Sequence, residues 1–246
     1  MTRRLALALL ALLAGCARPG SANLTVSVAA SLEPVMTDLA AKYSAAHIDL
    51  NFGGSGALAQ QIARGAPADL FFSASVRSMD DLARQNLLLA DTRRDLLRNE
   101  VVLIAASQSP VNSFDALAGP DVKVVALGEP DSVPAGDYGR QTLVALHLWN
   151  RIQPKLVLAK DVRQVLTYVE TGNADAGIVY ATDARSSARV RTVAAAPPES
   201  HGPILYSLAV VKATHNPAAA RAFAAWLAGP EARAAFQARG FGVATP

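Results

Sequence analysis

From residue 24 onward, short runs rich in valine, isoleucine and leucine alternate with segments whose apolar residues recur at helical spacing. This alternation constrains the chain more than any other feature. Strand-helix-strand units cover both faces of a sheet and lead to an α/β protein with mainly parallel strands. Leu24–Ala30 reads as a first strand, and Leu32, Val35, Met36, Leu39 and Tyr43 form one stripe on the helix after it. Ile48–Phe52 is a second strand, Leu58–Arg64 a short helix stopped at Gly65, Ala68–Ser73 a third strand and Val101–Ala106 another, very apolar.

Past Ser107 the texture changes. Ser109-Pro110 and Gly119-Pro120 bracket a short helix, and Val122–Leu127 starts a new α/β run. That run continues through a helix at 136–149, a strand at 155–159, a helix at 162–171 and a strand at Ala176–Tyr180. Residues 194–203 read as a loop, Ile204–Val211 as a strand, and two helices carrying Phe223, Trp226, Leu227 and Phe236 end the chain. The stretch 105–203 is thus a unit inserted into another. We expect one lobe from 24–104 plus 204–246 and a second from 105–203, joined by two extended crossings near Val101–Ala106 and Ile204–Val211. Such a two-strand hinge places a ligand cleft at the ends of the parallel strands.

Residues 1–15 belong to targeting rather than fold: two arginines precede an unbroken apolar run too short to span a bilayer. The run ends in Leu13-Ala14-Gly15-Cys16, which resembles the lipobox of bacterial lipoproteins. Cys16 then carries the lipid and 16–23 form a tether; the alternative is a soluble export signal cut after Ala22. Cys16 is the single cysteine, so the chain has neither an internal disulfide nor a thiolate metal site. Removing residues 1–15 takes two of the 23 Lys+Arg and none of the 20 Asp+Glu, leaving a formal charge of about +1. No basic run of five or more remains to suggest nucleic acid.

Four loops that enter helices share one chemistry. Ser31 and Ser55 stand where N-caps are expected, Val133-Pro134-Ala135-Gly136 leaves the Ala135 N–H unpaired, and Lys160-Asp161-Val162-Arg163 opens a fourth helix. Each helix start offers free N–H groups and a partial positive charge, so four converging on one point hold an anion without lysine or arginine. Gly53, Gly54 and Gly56 around Ser55 indicate close backbone approach.

Ala29–Leu32, Gly54–Gln61, Gly65–Leu70, Val133–Gly136, Asp161–Arg163 and Gly177–Ala184 together resemble the periplasmic molybdate-binding proteins of ABC importers. The resemblance implies a type II periplasmic-binding-protein fold, no enzymatic activity and no cofactor, with molybdate or tungstate held as an oxyanion and no direct metal ligand. Its binding residues fall on Ser31 and Ser55 through hydroxyl and N–H, Ala135 and Val162 through N–H, and Tyr180 through its phenol. The implied partners are a membrane permease and its ATPase, reached by a monomer whose membrane contact is the lipid. Glu33 and Asp137 lie in the first turns of two of these helices and are expected to face solvent.

Other readings are weaker. Gly54-x-Gly56-x-x-Ala59 approaches a dinucleotide fingerprint, but that motif wants an acid at the end of the following strand, and Asp69 stands at a strand's beginning. An exported enzyme with a glycine-loop anion site needs a base, and the histidines at 47, 147, 201 and 215 are scattered, with His147 on the helix ending at Trp149. A ferric-ion site of this architecture wants neighbouring tyrosines, and the five present include no adjacent pair. The nearest alternative is the same fold with sulfate or chromate.

Overall fold

A computed structural model describes residues 22–244. The export segment, Cys16 and the tether as far as residue 21 lie outside the described residues. In chain order the main elements are β1 (Ala22–Ala29), α1 (Glu33–Lys42), β2 (Ala46–Gly53), α2 (Ser55–Ala63), β3 (Leu70–Ser73), α3 (Val76–Arg84) and β4 (Arg94–Arg98). The second set is β5 (Val101–Ala106), β6 (Val125–Gly128), α4 (Pro134–Ala145), α5 (Trp149–Ile152), β7 (Leu156–Ala159), α6 (Val162–Glu170), β8 (Ala176–Tyr180), α7 (Ala181–Arg185) and β9 (Val190–Ala195). Then β10 (Leu205–Val210), α8 (Pro217–Leu227), α9 (Pro230–Ala238) and β11 (Gly242–Val243) complete the first lobe.

Two sheets form, ordered β11-β4-β10-β3-β1-β2 and β7-β6-β8-β5-β9. The parallel character holds for three strands of each, β2-β1-β3 and β7-β6-β8. The strands next to the crossings (β4, β5, β9 and β10) run antiparallel to their neighbours. Helical connections return parallel strands to the same edge, whereas a chain entering from the other lobe runs back the opposite way. α6 shows how the sequence makes its element: Asp161 caps it by accepting from the Gln164 N–H at 2.8 Å, and Val162, Val165, Leu166 and Val169 bury one face.

The expected boundaries shift. Val101–Ala106 is not a crossing but the fourth strand of the second sheet, paired with β8 and β9. The chain therefore crosses at Asn99–Glu100 and returns through 196–204. Residues 194–203 are not all loop, since β9 runs to Ala195. The helix expected at 136–149 is two: α4 stops at Ala145, and His147 sits between them with a φ of 59°, so this histidine is on no helix. Asp69 is spent inside its own lobe, accepting the Thr25 N–H at 2.8 Å and the Thr214 hydroxyl.

Candidate functional site

Six parallel strands, three from each sheet, point their carboxyl ends at one another. Ser31 follows β1, Ser55 follows β2 and Ala74 follows β3; Ala135 lies beyond β6, Val162 beyond β7, and Tyr180 ends β8. These residues line one tight cavity of about 10 Å³ between the lobes, far below the roughly 300–1,000 Å³ of pockets for drug-sized ligands. No charged side chain lines it. All five residues expected from the sequence are brought together there, and all five are buried.

Two local expectations fail. Neither serine is an N-cap: Gly54 occupies that position for α2, placing Ser55 at the first helical residue, and Ser31 lies inside a short 3-10 turn ahead of α1. Their hydroxyls do other work. Ser55 Oγ accepts the Ala74 N–H at 3.0 Å, and Ser31 Oγ lies 2.8 Å from the Tyr206 hydroxyl. Because the serines do not cap, the N–H groups of these first turns keep no partner within their own helices. Ala135, second residue of α4, and Val162, first of α6, are in the same position.

The glycines also serve a different end. A Cβ on Gly54 would sit 2.9 Å from the Ser132 carbonyl oxygen and 3.1 Å from that of Lys160, and one on Gly56 would sit 2.8 Å from the former. Both neighbours belong to the opposite lobe. The Gly56 N–H donates to the Ser132 carbonyl at 3.0 Å, so the glycine loop seals lobe against lobe over the cavity.

Tyr180 closes the inner end. Its ring packs edge-on against Tyr206 with centroids 5.9 Å apart, and its buried hydroxyl has no hydrogen-bond partner in the protein. Burial, with Tyr206 beside it, pushes its pKa well above the usual phenol value, so the group stays a neutral donor. Glu33 is exposed as expected. Asp137 is half-buried and held by Arg140 at 3.1 Å, outside the cavity lining. Ala74, Asn99 and Tyr206, which hold the two serines directly or at one remove, were not found from the sequence: a residue that acts by fixing a neighbour leaves no pattern in its own segment.

One turn beyond Tyr180, Asp183 is buried with Oδ2 unpartnered and Oδ1 3.9 Å from Arg163. Burial pushes its carboxyl up to about 7, against the opposing pull of Arg163. The folded state therefore keeps this proton between about pH 4 and pH 7 while the unfolded chain has released it, so stability falls as pH rises through that window. Asp183→Asn should flatten the decline in melting temperature between pH 5 and 8 and raise stability at pH 8 by on the order of 1–3 kcal/mol. An unchanged slope in a thermal-melt series would refute the carboxyl's part in it.

The chain's relatives agree with this arrangement. The sequence profile described as bacterial extracellular solute-binding protein matches residues 24–242. The chain is 42% identical to Bacillus subtilis YvgL, provisionally named an ABC transporter substrate-binding lipoprotein, over 94% of this chain and 93% of that protein. It is 37% identical to the Haemophilus influenzae molybdate-binding protein ModA, covering 90% of each. The Azotobacter vinelandii periplasmic molybdate-binding protein superposes with a TM-score of 0.80 at 27% identity, over 91% of this chain and 99% of that one. With two α/β lobes, two crossings and a buried interlobe cavity at the ends of six strands, the chain belongs to the bacterial extracellular solute-binding proteins.

Proposed function

We propose that this protein captures molybdate, and with it tungstate, in the interlobe cavity and hands it to an ABC importer made of a permease and its ATPase. The observation that carries the reading is the polarity of the cavity. It is walled by the donors of Ser31, Ser55, Ala135, Val162 and Tyr180, one of them a buried phenol without a protein partner, and by no charged side chain. A tetrahedral dianion only accepts hydrogen bonds, so an all-donor wall suits it, while a protonated oxyanion would leave its own O–H facing donors. About seven charge-assisted bonds at roughly 1.5–3 kcal/mol each, with three helix starts, offset the cost of burying two charges. The protein acts as a carrier rather than a catalyst, and needs no cofactor.

Relatives named for molybdate at 37% and 38% identity support this ligand over sulfate or chromate. For attachment, β1 begins at Ala22 and pairs it with Ala46, so a cut after Ala22 would take a residue from the sheet. Cleavage before Cys16 leaves the strand whole and residues 16–21 as a tether, which favours the lipid anchor named for YvgL. We take the mature protein to be a monomer on the outer side of the membrane.

Isothermal titration of the purified protein with molybdate, tungstate, sulfate and phosphate tests the ligand. Tight one-to-one binding of the first two is expected, weakened about 10- to 100-fold in Ser55→Ala, which removes one donor and leaves the Ala74 N–H unpaired. Heat with sulfate or phosphate alone would change the ligand; no heat with any of the four would remove the function.

A further inference from the structure

We infer that Asn99 and Tyr206 act as positioning residues that aim the Ser31 hydroxyl proton into the anion cavity, a deepening that rests on the oxyanion reading above. Asn99 lies on the first crossing, and its Oδ1 accepts the Glu100 N–H at 3.0 Å, which leaves its amide nitrogen on the other side. That nitrogen donates to the Tyr206 hydroxyl at 3.1 Å and to Thr182 Oγ1 at 2.8 Å. An amide nitrogen is only a donor, so the Tyr206 oxygen must accept. The single phenol proton is then free for Ser31 Oγ, 2.8 Å away. Ser31 Oγ accepts it, and the one proton left on Ser31 faces the cavity.

Burial keeps the chain of bonds in this sense. Tyr206 is fully buried and its pKa is raised by that burial, so the phenol keeps its proton. Ser55 is fixed likewise by a different donor, since its oxygen accepts the Ala74 N–H. Each hydroxyl therefore has one acceptor site already filled and its hydrogen left for the ligand, which favours an acceptor-only dianion over hydrogen phosphate. Asn99 also joins Tyr206 of the first lobe to Thr182 of the second at the crossing itself, so Ser31 is oriented from the hinge.

The test reverses the bond direction without changing size. In Asn99→Asp the carboxylate accepts from Tyr206, the phenol oxygen turns to accept from Ser31, and the Ser31 proton leaves the cavity. Titrations of wild type, Asn99→Asp, Asn99→Ala and Tyr206→Phe with molybdate and phosphate at pH 8 are compared as ratios to wild type. The expected order is Asn99→Asp weaker than Asn99→Ala, by about tenfold, with the phosphate-to-molybdate affinity ratio rising at least about fivefold in Asn99→Asp. A role confined to packing predicts the opposite, with the truncation at least as damaging as the isosteric change and the ratio constant; that outcome overturns the inference. Should Asn99→Asp fail to fold, Tyr206→Phe decides, because it keeps the ring and removes only the relay oxygen: a loosened ratio supports the relay and an unchanged one overturns it. If wild type takes a different oxyanion, the same ratios are read with that ion, so failure of the ligand reading and failure of the relay are separate results.

Discussion

Titration of Gly56→Ala with molybdate is expected to show affinity reduced by at least about 100-fold, close to 3 kcal/mol, with ligand-free stability unchanged or slightly higher. The added methyl would sit 2.8 Å from the Ser132 carbonyl oxygen and 2.9 Å from its Cα, and backbone does not swing aside as a flexible side chain does. The lobes must then part, and the bond from the Gly56 N–H to Ser132 is lost with the seal. Stability of the ligand-free form moves the other way. Gly56 is the second residue of α2, its backbone is not in the left-handed region, and alanine is a better helix former by up to about 1 kcal/mol. Affinity within threefold of wild type would show that the glycine is not part of closure.

The second large effect is expected at Tyr180. Tyr180→Phe keeps the ring and its edge-on contact with Tyr206 and removes one oxygen, and we expect a 10- to 100-fold loss of molybdate affinity with no loss of thermal stability in the ligand-free protein. A buried hydroxyl without a partner costs about 1–3 kcal/mol, so removing it relieves the fold even as it weakens the complex. Opposed signs distinguish a ligand donor from a structural one, since a structural hydroxyl would lower stability and spare binding. Differential scanning calorimetry with and without molybdate reads both quantities on one sample.

Much of this architecture is legible in the sequence where a single physical cause dominates. Helical spacing at Val162, Val165, Leu166 and Val169 survives because that face is buried whole. The positions proposed for the anion rest on resemblance to a family pattern, with helix-start chemistry beside it for all but Tyr180, and one cavity is lined by all five. Less was readable where two causes compete. Ser31 and Ser55 look like caps, since a serine before an apolar run usually is one, yet their oxygens are taken by Tyr206 and the Ala74 N–H. The three glycines suggest approach to a ligand, but the close neighbour at Gly54 and Gly56 is the backbone of the other lobe, which no local pattern reveals. The strand β4, Arg-Asp-Leu-Leu-Arg, is not legible because only Leu97 in it is fully buried. A mostly exposed strand of that kind carries no apolar run.

The position of β10 carries a consequence for how the molecule assembles. It lies between β3 and β4, and its Ser207 pairs with Ser73 and Asp95, residues more than a hundred positions earlier. Until that strand is made, β4 has no partner on its inner side and the first sheet is incomplete, while the second sheet is built from one unbroken stretch. Contacts of such long sequence separation form slowly. The inserted lobe can therefore gain its structure first, and the first lobe waits for the C-terminal segment, so the pocket for the anion is among the last features to exist.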